Sequence, residues 1–300
     1  MAITCRQYNG AEDYARIDQF LLEQHQPGNA DGNWIEPAWE YMHSHPLLDV
    51  SALGRIRIWE EDGRIVAVAH YEWRLGEAFF ETHPAYRHLR GEMLDYAEQN
   101  LAGRSEDGRP FLQAYVNDND PQFLALVRAR GYRLDLDATR PMYRFDIPDP
   151  FPPIELPAGF RVSSMAEDCD WSKINRVLWR GFNHPSEPPA EDVESRIQMS
   201  KTPNYDFSLK IVTVAPKGDY ASFSGLWYEP RMRFAYVEPV ATDPTYRRMG
   251  LGKAAVLEGI RRCAQRGASV AYVGSNQAFY QAIGFRKVYD SQCWTRYLDE

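Results

Sequence analysis

Two short motifs occur twice in this chain of 300 residues, and they occur in the same order both times. Pro84-Ala85-Tyr86-Arg87 matches Pro244-Thr245-Tyr246-Arg247, and Ala114-Tyr115-Val116 matches Ala271-Tyr272-Val273. Similarity that returns at a nearly fixed offset indicates a repeated structural unit. The chain is therefore expected to have arisen by internal duplication and to fold as two related lobes.

A proline-rich segment separates the two halves. Its prolines are Pro148, Pro150, Pro152, Pro153 and Pro157. Proline at this density favours extended backbone without internal hydrogen bonds. We predict a first lobe at residues 1–147, a linker at 148–157 and a second lobe at 158–300. Strand and helix patterns predict an α+β fold in both lobes, each a mixed, largely antiparallel sheet flanked by helices.

Composition and charge limit the classes of function. Hydrophobic residues make up 44% of the chain and charged residues 25%, as in ordinary soluble proteins. No membrane span and no signal peptide is evident, so a cytoplasmic protein without a membrane partner is expected. The first 150 residues hold 15 Arg, no Lys and 25 acidic residues, so the first half is acidic. The sequence contains no dense basic stripe, so a nucleic-acid partner is not expected. The four separated cysteines are expected to be reduced packing residues.

The run YRRMGLGKA, from Tyr246 to Ala254, follows a predicted strand and opens a helix predicted over residues 253–266. Its two glycines let the backbone approach a ligand, and the first amides of a helix point away from the helix. The positive end of the helix dipole and the basic side chains of the run favour a pyrophosphate group.

Two other nucleotide-site motifs fit this run poorly. A Walker A loop needs glycine where Arg247 stands and Ser or Thr where Ala254 stands. A dinucleotide pattern, GxGxxA, is present at 250–255, but the acidic residue expected about 20 residues later is missing from 269–273. The antiparallel strands predicted before the run also do not suit a dinucleotide fold.

Residues 247–252, RRMGLG, resemble the signature of the GNAT acetyltransferase family: Gln or Arg, two residues, Gly, one residue, then Gly or Ala. Upstream, residues 240–244 look like the end of that family's fourth strand. Downstream, Asn276, Phe279-Tyr280 and Gly284-Phe285 look like its second signature. The resemblance covers residues 157–300 and implies a GNAT fold that uses acetyl-CoA as co-substrate without a metal.

The resemblance also implies which residues contact the coenzyme. In the family the backbone of the fourth strand hydrogen-bonds the pantetheine arm of the coenzyme, and the segment that corresponds to residues 246–253, termed here the pyrophosphate loop, holds the pyrophosphate. The implied contact residues from these two segments and the second signature are Val240, Ala241, Thr242, Arg247, Arg248, Met249, Gly250, Leu251, Gly252, Lys253, Asn276 and Phe279. Asn276 departs from the commonest family spacing, which puts the asparagine further from the tyrosine, so its role is open.

Two residues are the candidates for catalysis. Tyr280, four residues before Gly284, is implied to be the general acid that protonates the departing thiolate. Its alternative role is an aromatic ring that packs the coenzyme channel. Glu238, at the end of the strand that leads to the site, is the carboxylate best placed to accept the proton of an acceptor amine. Its alternative role is a salt-bridged or surface carboxylate, with water as the base.

Three further side chains, Trp179, Phe182 and His184, lie in the region that roofs the acceptor pocket in the family, although core packing explains the aromatic residues equally well. His43 and His45 are interpreted as polar surface groups, because no further metal ligand lies near them in the sequence.

The first lobe has lost the residues of the site. When the lobes are aligned at the shared Pro-x-Tyr-Arg, Arg90 and Glu92 stand at the two glycine positions. At the second signature, Gly131-Tyr132 stands where Gly284-Phe285 does, so Val127 falls at the position of Tyr280. We expect this degenerate GNAT-like lobe to bind no coenzyme A.

The sequence therefore predicts an acetyl-CoA-dependent N-acetyltransferase, a monomer or homodimer, that transfers the acetyl group directly to the amine of a small molecule. The alternative is a non-catalytic protein that binds or senses acyl-CoA. The identity of the acceptor is not predicted.

Overall fold

The two halves of the chain fold into the same succession of elements in the computed structural model, which describes residues 2–299. The first half comprises β1 (Thr4–Gln7), α1 (Gly10–Gln24), α2 (Glu36–Ser44), β2 (Arg57–Glu61), β3 (Arg64–His70), β4 (Glu77–Thr82), α3 (Arg90–Asn100), β5 (Gly103–Arg104), β6 (Pro110–Asn117), α4 (Pro121–Ala129) and β7 (Arg133–Asp146). The second half comprises β8 (Arg161–Ser164), α5 (Trp171–Gly181), α6 (Asp192–Met199), β9 (Lys210–Val214), β10 (Tyr220–Glu229), β11 (Phe234–Thr242), α7 (Leu251–Gln265), β12 (Val270–Val273), α8 (Ala278–Ile283) and β13 (Arg286–Tyr297). Apart from β5 the order is the same, which confirms the predicted tandem α+β fold.

Two strands run from one compact unit of the chain into the other. Unit 1 extends to Met142 and resumes at Val288, whereas unit 2 comprises Tyr143–Lys287. The last four residues of β7 therefore belong to unit 2, and most of β13 belongs to unit 1. The boundaries of these units differ from those of the predicted lobes, because residues from 288 onward belong to unit 1. A division of the sequence into two linear halves does not reveal a strand supplied from the other half of the chain. The two strands predicted at 285–289 and 293–298 are one continuous strand, β13.

In unit 1 the strand order is β1-β2-β3-β4-β6-β13-β7. The pairing of β4 with β6 is parallel and covers only Glu77–Ala78 and Gln113–Ala114. The chain's final strand is fully integrated, because β13 pairs with β6 in antiparallel register from Ser291 to Tyr297. Helices α1, α2 and α3 contribute to one large core around the fully buried Trp39, together with the sheet.

In unit 2 the strand order is β7-β12-β11-β10-β9-β8, and residues 143–146 of β7 pair with β12 in antiparallel register. Strands β11 and β12 are parallel and pair only over Phe234–Tyr236 and Val270–Tyr272. Beyond that point they separate, and the gap opens at the carboxyl end of β11. Helix α7 begins beside this gap, so the sheet provides a cleft next to a helix N-terminus.

Helices cover both faces of the unit 2 sheet. Asp170 caps the start of helix α5, where its carboxylate accepts a hydrogen bond from the Lys173 amide, and the helix buries Ile174, Val177 and Leu178 at helical spacing. Helix α7 packs its apolar side on the opposite core, which includes residues of β10, β11 and β12. The two helices therefore position their ends near the last residues of β11.

Expectations for isolated residues differ in outcome. Cys263 and Cys293 are buried, as expected for packing residues, but Cys5 and Cys169 are exposed. His43 was expected at the surface, but the centroid of its ring lies 4.1 Å from the centroid of the Trp39 ring. Burial lowers the pKa of the His43 imidazole to about 4. Within residues 2–299, no cluster of three possible metal ligands and no helix suited to crossing a membrane is found.

Candidate active site

A cleft of about 540 Å³ lies in unit 2 where β11 and β12 separate. It is lined by Gly181, Phe182, Asn183, Val240, Ala241, Thr242, Tyr246, Arg247, Arg248, Gly250, Leu251, Gly252, Lys253, Gln277, Phe279 and Tyr280. Most of the predicted coenzyme-binding residues thus meet at one place, with Met249 and Asn276 outside the lining. The exposed backbone of Asn276 accepts a hydrogen bond from Gln281, and its neighbour Gln277 lines the cleft instead.

The pyrophosphate loop reaches α7 through left-handed backbone. Arg248 has φ of 63° and Gly250 has φ of 83°, so the chain turns sharply just before the helix. The helix begins at Leu251, two residues earlier than predicted. Its first amides lie at the cleft, and the exposed side chains of Arg248 and Lys253 add positive charge there. This arrangement suits a phosphate or pyrophosphate group.

The two glycines of the loop serve different purposes. A Cβ at Gly250 would meet nothing within 4 Å, so its positive φ is the reason for glycine. A Cβ at Gly252 would lie 2.7 Å from Thr242 Oγ1 and 3.4 Å from the Phe279 ring. Gly252 therefore allows α7 to pack closely against the end of β11 and against α8. The sequence alone suggested only close approach of a ligand.

The two catalytic candidates lie close enough to interact. Tyr280 is 6% exposed and lines the cleft. Burial, followed by the nearby charge of Glu238, raises the pKa of the Tyr280 phenol above its ordinary value. The phenol therefore keeps its proton at neutral pH and can donate it in a hydrogen bond. Glu238 is half-buried near the end of β11, and its backbone carbonyl accepts a hydrogen bond from Trp227 Nε1 at 3.0 Å.

The end of α5 forms another wall of the cleft. Gly181, Phe182 and Asn183 line it, and the Phe182 side chain is 47% exposed. The other two predicted roof residues are not part of the lining. Trp179 stacks on His184 with ring centroids 4.3 Å apart, and its indole nitrogen donates to the carbonyl of residue 185.

The equivalent space in unit 1 is nearly filled. The cavity beside Arg90, Glu81 and Asn117 measures about 30 Å³. Arg90 stands at the position of Gly250 and forms an ion pair with Asp120, and both residues are more than nine-tenths buried. Burial lowers the pKa of the Arg90 guanidinium to about 10. Where Gly131-Tyr132 is aligned with Gly284-Phe285, the buried Val127 stands at the position of Tyr280.

Comparison with known proteins assigns this site to a family. Residues 171–285, which include the whole cleft, match the sequence profile of the acetyltransferase (GNAT) family. These residues are a GNAT acetyltransferase domain. The chain is accordingly an N-acetyltransferase, and acetyl-CoA is the co-substrate of this family.

The similarity to known proteins extends beyond this one domain. The protein named mycothiol acetyltransferase in Kytococcus sedentarius is 28% identical over 250 residues, which cover 75% of this chain and 79% of that protein. A GCN5-related N-acetyltransferase from Sphaerobacter thermophilus has a similar fold, with a TM-score of 0.67 at 17% identity, covering 98% of this chain and 95% of the other. A tandem GNAT protein from the clavulanic acid biosynthesis pathway gives a TM-score of 0.62 at 13% identity, and the match covers 98% of both chains. The tandem GNAT fold is therefore shared with solved structures.

Proposed function

We propose that this chain transfers the acetyl group of acetyl-CoA directly to the amine of a small molecule, and that the cleft in unit 2 binds the coenzyme. The observation that supports this most is that Tyr280, a group able to donate a proton, lines a cleft built from both GNAT signatures, with the charge of Glu238 near enough to raise the pKa of its phenol. A protein that only senses acyl-CoA would not need such a pair. The non-catalytic alternative is therefore not favoured.

The reaction needs two proton transfers. The amine nitrogen forms a bond to the thioester carbonyl carbon, and the carbon–sulfur bond breaks with its electron pair leaving on sulfur. Glu238, directly or through a water molecule, accepts the proton that the amine loses. Tyr280 donates its proton to the departing thiolate, because a phenol close to a developing charge stabilises it. The products are the N-acetylated acceptor and coenzyme A.

The acceptor can be narrowed by experiment. The relative in Kytococcus sedentarius carries the name mycothiol acetyltransferase, which makes a mycothiol-related amine the first acceptor to test. Release of the coenzyme A thiol should be measured with such an amine, polyamines and aminoglycosides. Turnover with one of them supports the proposal, whereas binding of acetyl-CoA without turnover of any amine favours the sensor.

We further propose one coenzyme A site per chain, because the cleft of unit 1 is filled by Arg90 and its ion pair with Asp120. Calorimetry should give a stoichiometry of one. Gly252→Glu copies the first lobe and places a Cβ 2.7 Å from Thr242 Oγ1, so it should shift the start of α7 and abolish coenzyme A binding, with circular dichroism as the check that the helices otherwise persist. Two sites of similar affinity, or micromolar binding by the variant, would contradict this assignment.

A further inference from the structure

Helix α5 approaches β11 unusually closely at the cleft. A Cβ at Gly181 would lie 2.6 Å from the Cβ of Ala241 and 3.0 Å from the backbone nitrogen of Thr242. The carboxyl end of α5 therefore packs directly on the stretch of strand that is proposed to contact the pantetheine arm. The width of the coenzyme channel depends on how this contact is held.

One ion pair fixes the helix to the residue after β11. Arg180 Nε donates to Asp243 Oδ2 at 2.6 Å, and the Asp243 side chain is only 5% exposed. The other carboxylate oxygen, Asp243 Oδ1, accepts the Thr245 amide at 2.8 Å. This contact runs from α5 to the start of the pyrophosphate loop.

A second arginine makes the reverse connection, from the pyrophosphate loop back to the helix. Arg247 Nη2 donates to the carbonyl of Gly181 and to Asn183 Oδ1, each at 2.8 Å. Arg247 Nε donates to the carbonyl of Thr242 at 3.3 Å. A cation at the carboxyl end of a helix is favourable, because the last carbonyls lack intrahelical partners. One guanidinium thus binds the end of α5 and the end of β11 at the same time.

We propose that Arg247, the first residue of the GNAT signature, is a positioning residue that holds the end of α5 against β11, and that it does not act by contacting the phosphates. With Arg180 and Asp243 it forms what we term the arginine clamp. Arg247 is also exposed and lines the cleft, but its guanidinium is occupied by the three oxygens named above, so Arg248 and Lys253 supply the positive charge for the phosphates. The proposal rests on the proposed coenzyme site, because it assigns Arg247 a role in shaping that site.

The geometry of the clamp requires arginine. A guanidinium presents several donors in a fixed plane, whereas the lysine ammonium is a compact charge on a flexible chain. Lysine at position 247 would keep the positive charge near a phosphate but could not bridge the same three acceptors. Arg247→Lys therefore separates a positional role from an electrostatic one.

The first experiment needs no ligand. Hydrogen exchange in the free protein should become faster at the amides of residues 178–186 in Arg247→Ala and Arg247→Lys, because the end of α5 loses its contact with β11. Arg248→Ala is the matched control, since it removes a neighbouring exposed charge, and it should leave exchange in this segment unchanged. Unchanged exchange in both Arg247 variants would overturn the clamp, whether or not coenzyme A binds.

The second experiment compares coenzyme A with its nucleotide half, adenosine 3′-phosphate 5′-diphosphate, by calorimetry. Arg247→Ala and Arg247→Lys should weaken the binding of coenzyme A roughly tenfold. They should weaken the binding of the nucleotide half by less than about threefold, because only coenzyme A occupies the pantetheine channel. Arg248→Ala should weaken the binding of both ligands by the same factor. Equal losses for both ligands in Arg247→Ala, with recovery in Arg247→Lys, would make Arg247 a phosphate ligand. If the wild type binds neither ligand, the proposed function fails, and hydrogen exchange still decides the clamp.

Discussion

Replacing Tyr280 with Phe removes the phenol proton and keeps the ring that contacts Phe279 and Phe285. We expect the rate of acetyl transfer to fall by about 10²–10⁴-fold, the usual contribution of a general acid, with coenzyme A affinity nearly unchanged. The rate should be measured in a single turnover, so that slow product release does not hide the loss. An unchanged rate would leave Tyr280 as a packing residue of the channel.

The role of Glu238 as a base is tested by the pH dependence of the transfer rate. Glu238→Gln removes a proton acceptor, so at neutral pH the transfer rate should fall by roughly 10²-fold. The deficit should shrink as the pH rises, because hydroxide can then accept the proton that the amine nitrogen loses. Rates of variant and wild type measured from neutral to alkaline pH check this expectation. A deficit that stays constant across the range would indicate that Glu238 acts on structure or on acceptor binding.

At the scale of elements, Asp120 and Asp170 are N-caps of two helices and form a matched pair. Asp120 accepts the Phe123 amide at the start of α4, and Asp170 accepts the Lys173 amide at the start of α5. Asp120 also neutralises the buried Arg90. Asp120→Ala should lower the free energy of unfolding by about 3–5 kcal/mol, because it leaves a buried charge unpaired.

Asp170→Ala is the control for that change, since it removes a cap without burying a charge, and it should cost about 1 kcal/mol. Urea titration of both variants measures the difference. Similar losses in the two variants would show that the ion pair with Arg90 adds nothing to the stability of unit 1.

Local sequence signals predicted the elements that build the cleft. Glycines, basic residues and periodic apolar residues mark helix α7, the loop before it and the strand that ends at Thr242. These patterns were enough to predict the type and order of the three elements. The contacts of Arg247 with Gly181 and Asn183 could not be predicted, because no local sequence pattern shows which acceptor a long side chain will reach. The Arg90–Asp120 pair was missed for the same reason, although the alignment showed that Arg90 replaces a glycine.

At the scale of the whole molecule, the strand that completes unit 1 comes from the opposite end of the chain. Sequence periodicity predicted strands near residues 285–298 but could not assign their partner, because pairing with β6 depends on long-range register.

A chain that ends at Lys287 tests this arrangement. It lacks residues 288–300, so β6 loses its long antiparallel partner, β13, and unit 1 should not fold cooperatively. Limited proteolysis and hydrogen exchange at residues 111–117 should show the loss. A chain that ends at Leu298 keeps all of β13 and should behave as the full chain does. Protected amides at 111–117 in the shorter chain would show that unit 1 is stable without its last strand.

The place of β13 also sets the order in which the protein can mature on the ribosome. Everything that unit 2 contains has been translated before Val288, whereas unit 1 must wait for the final residues. Translation at about 5–20 residues per second puts a delay of roughly 7–29 s between Met142 and Val288. During that interval the edge of β6 that β13 will cover is open, and it is a target for chaperones or for aggregation. The residues of unit 2 are therefore all present in the growing chain before those of unit 1 are, although unit 1 is begun first.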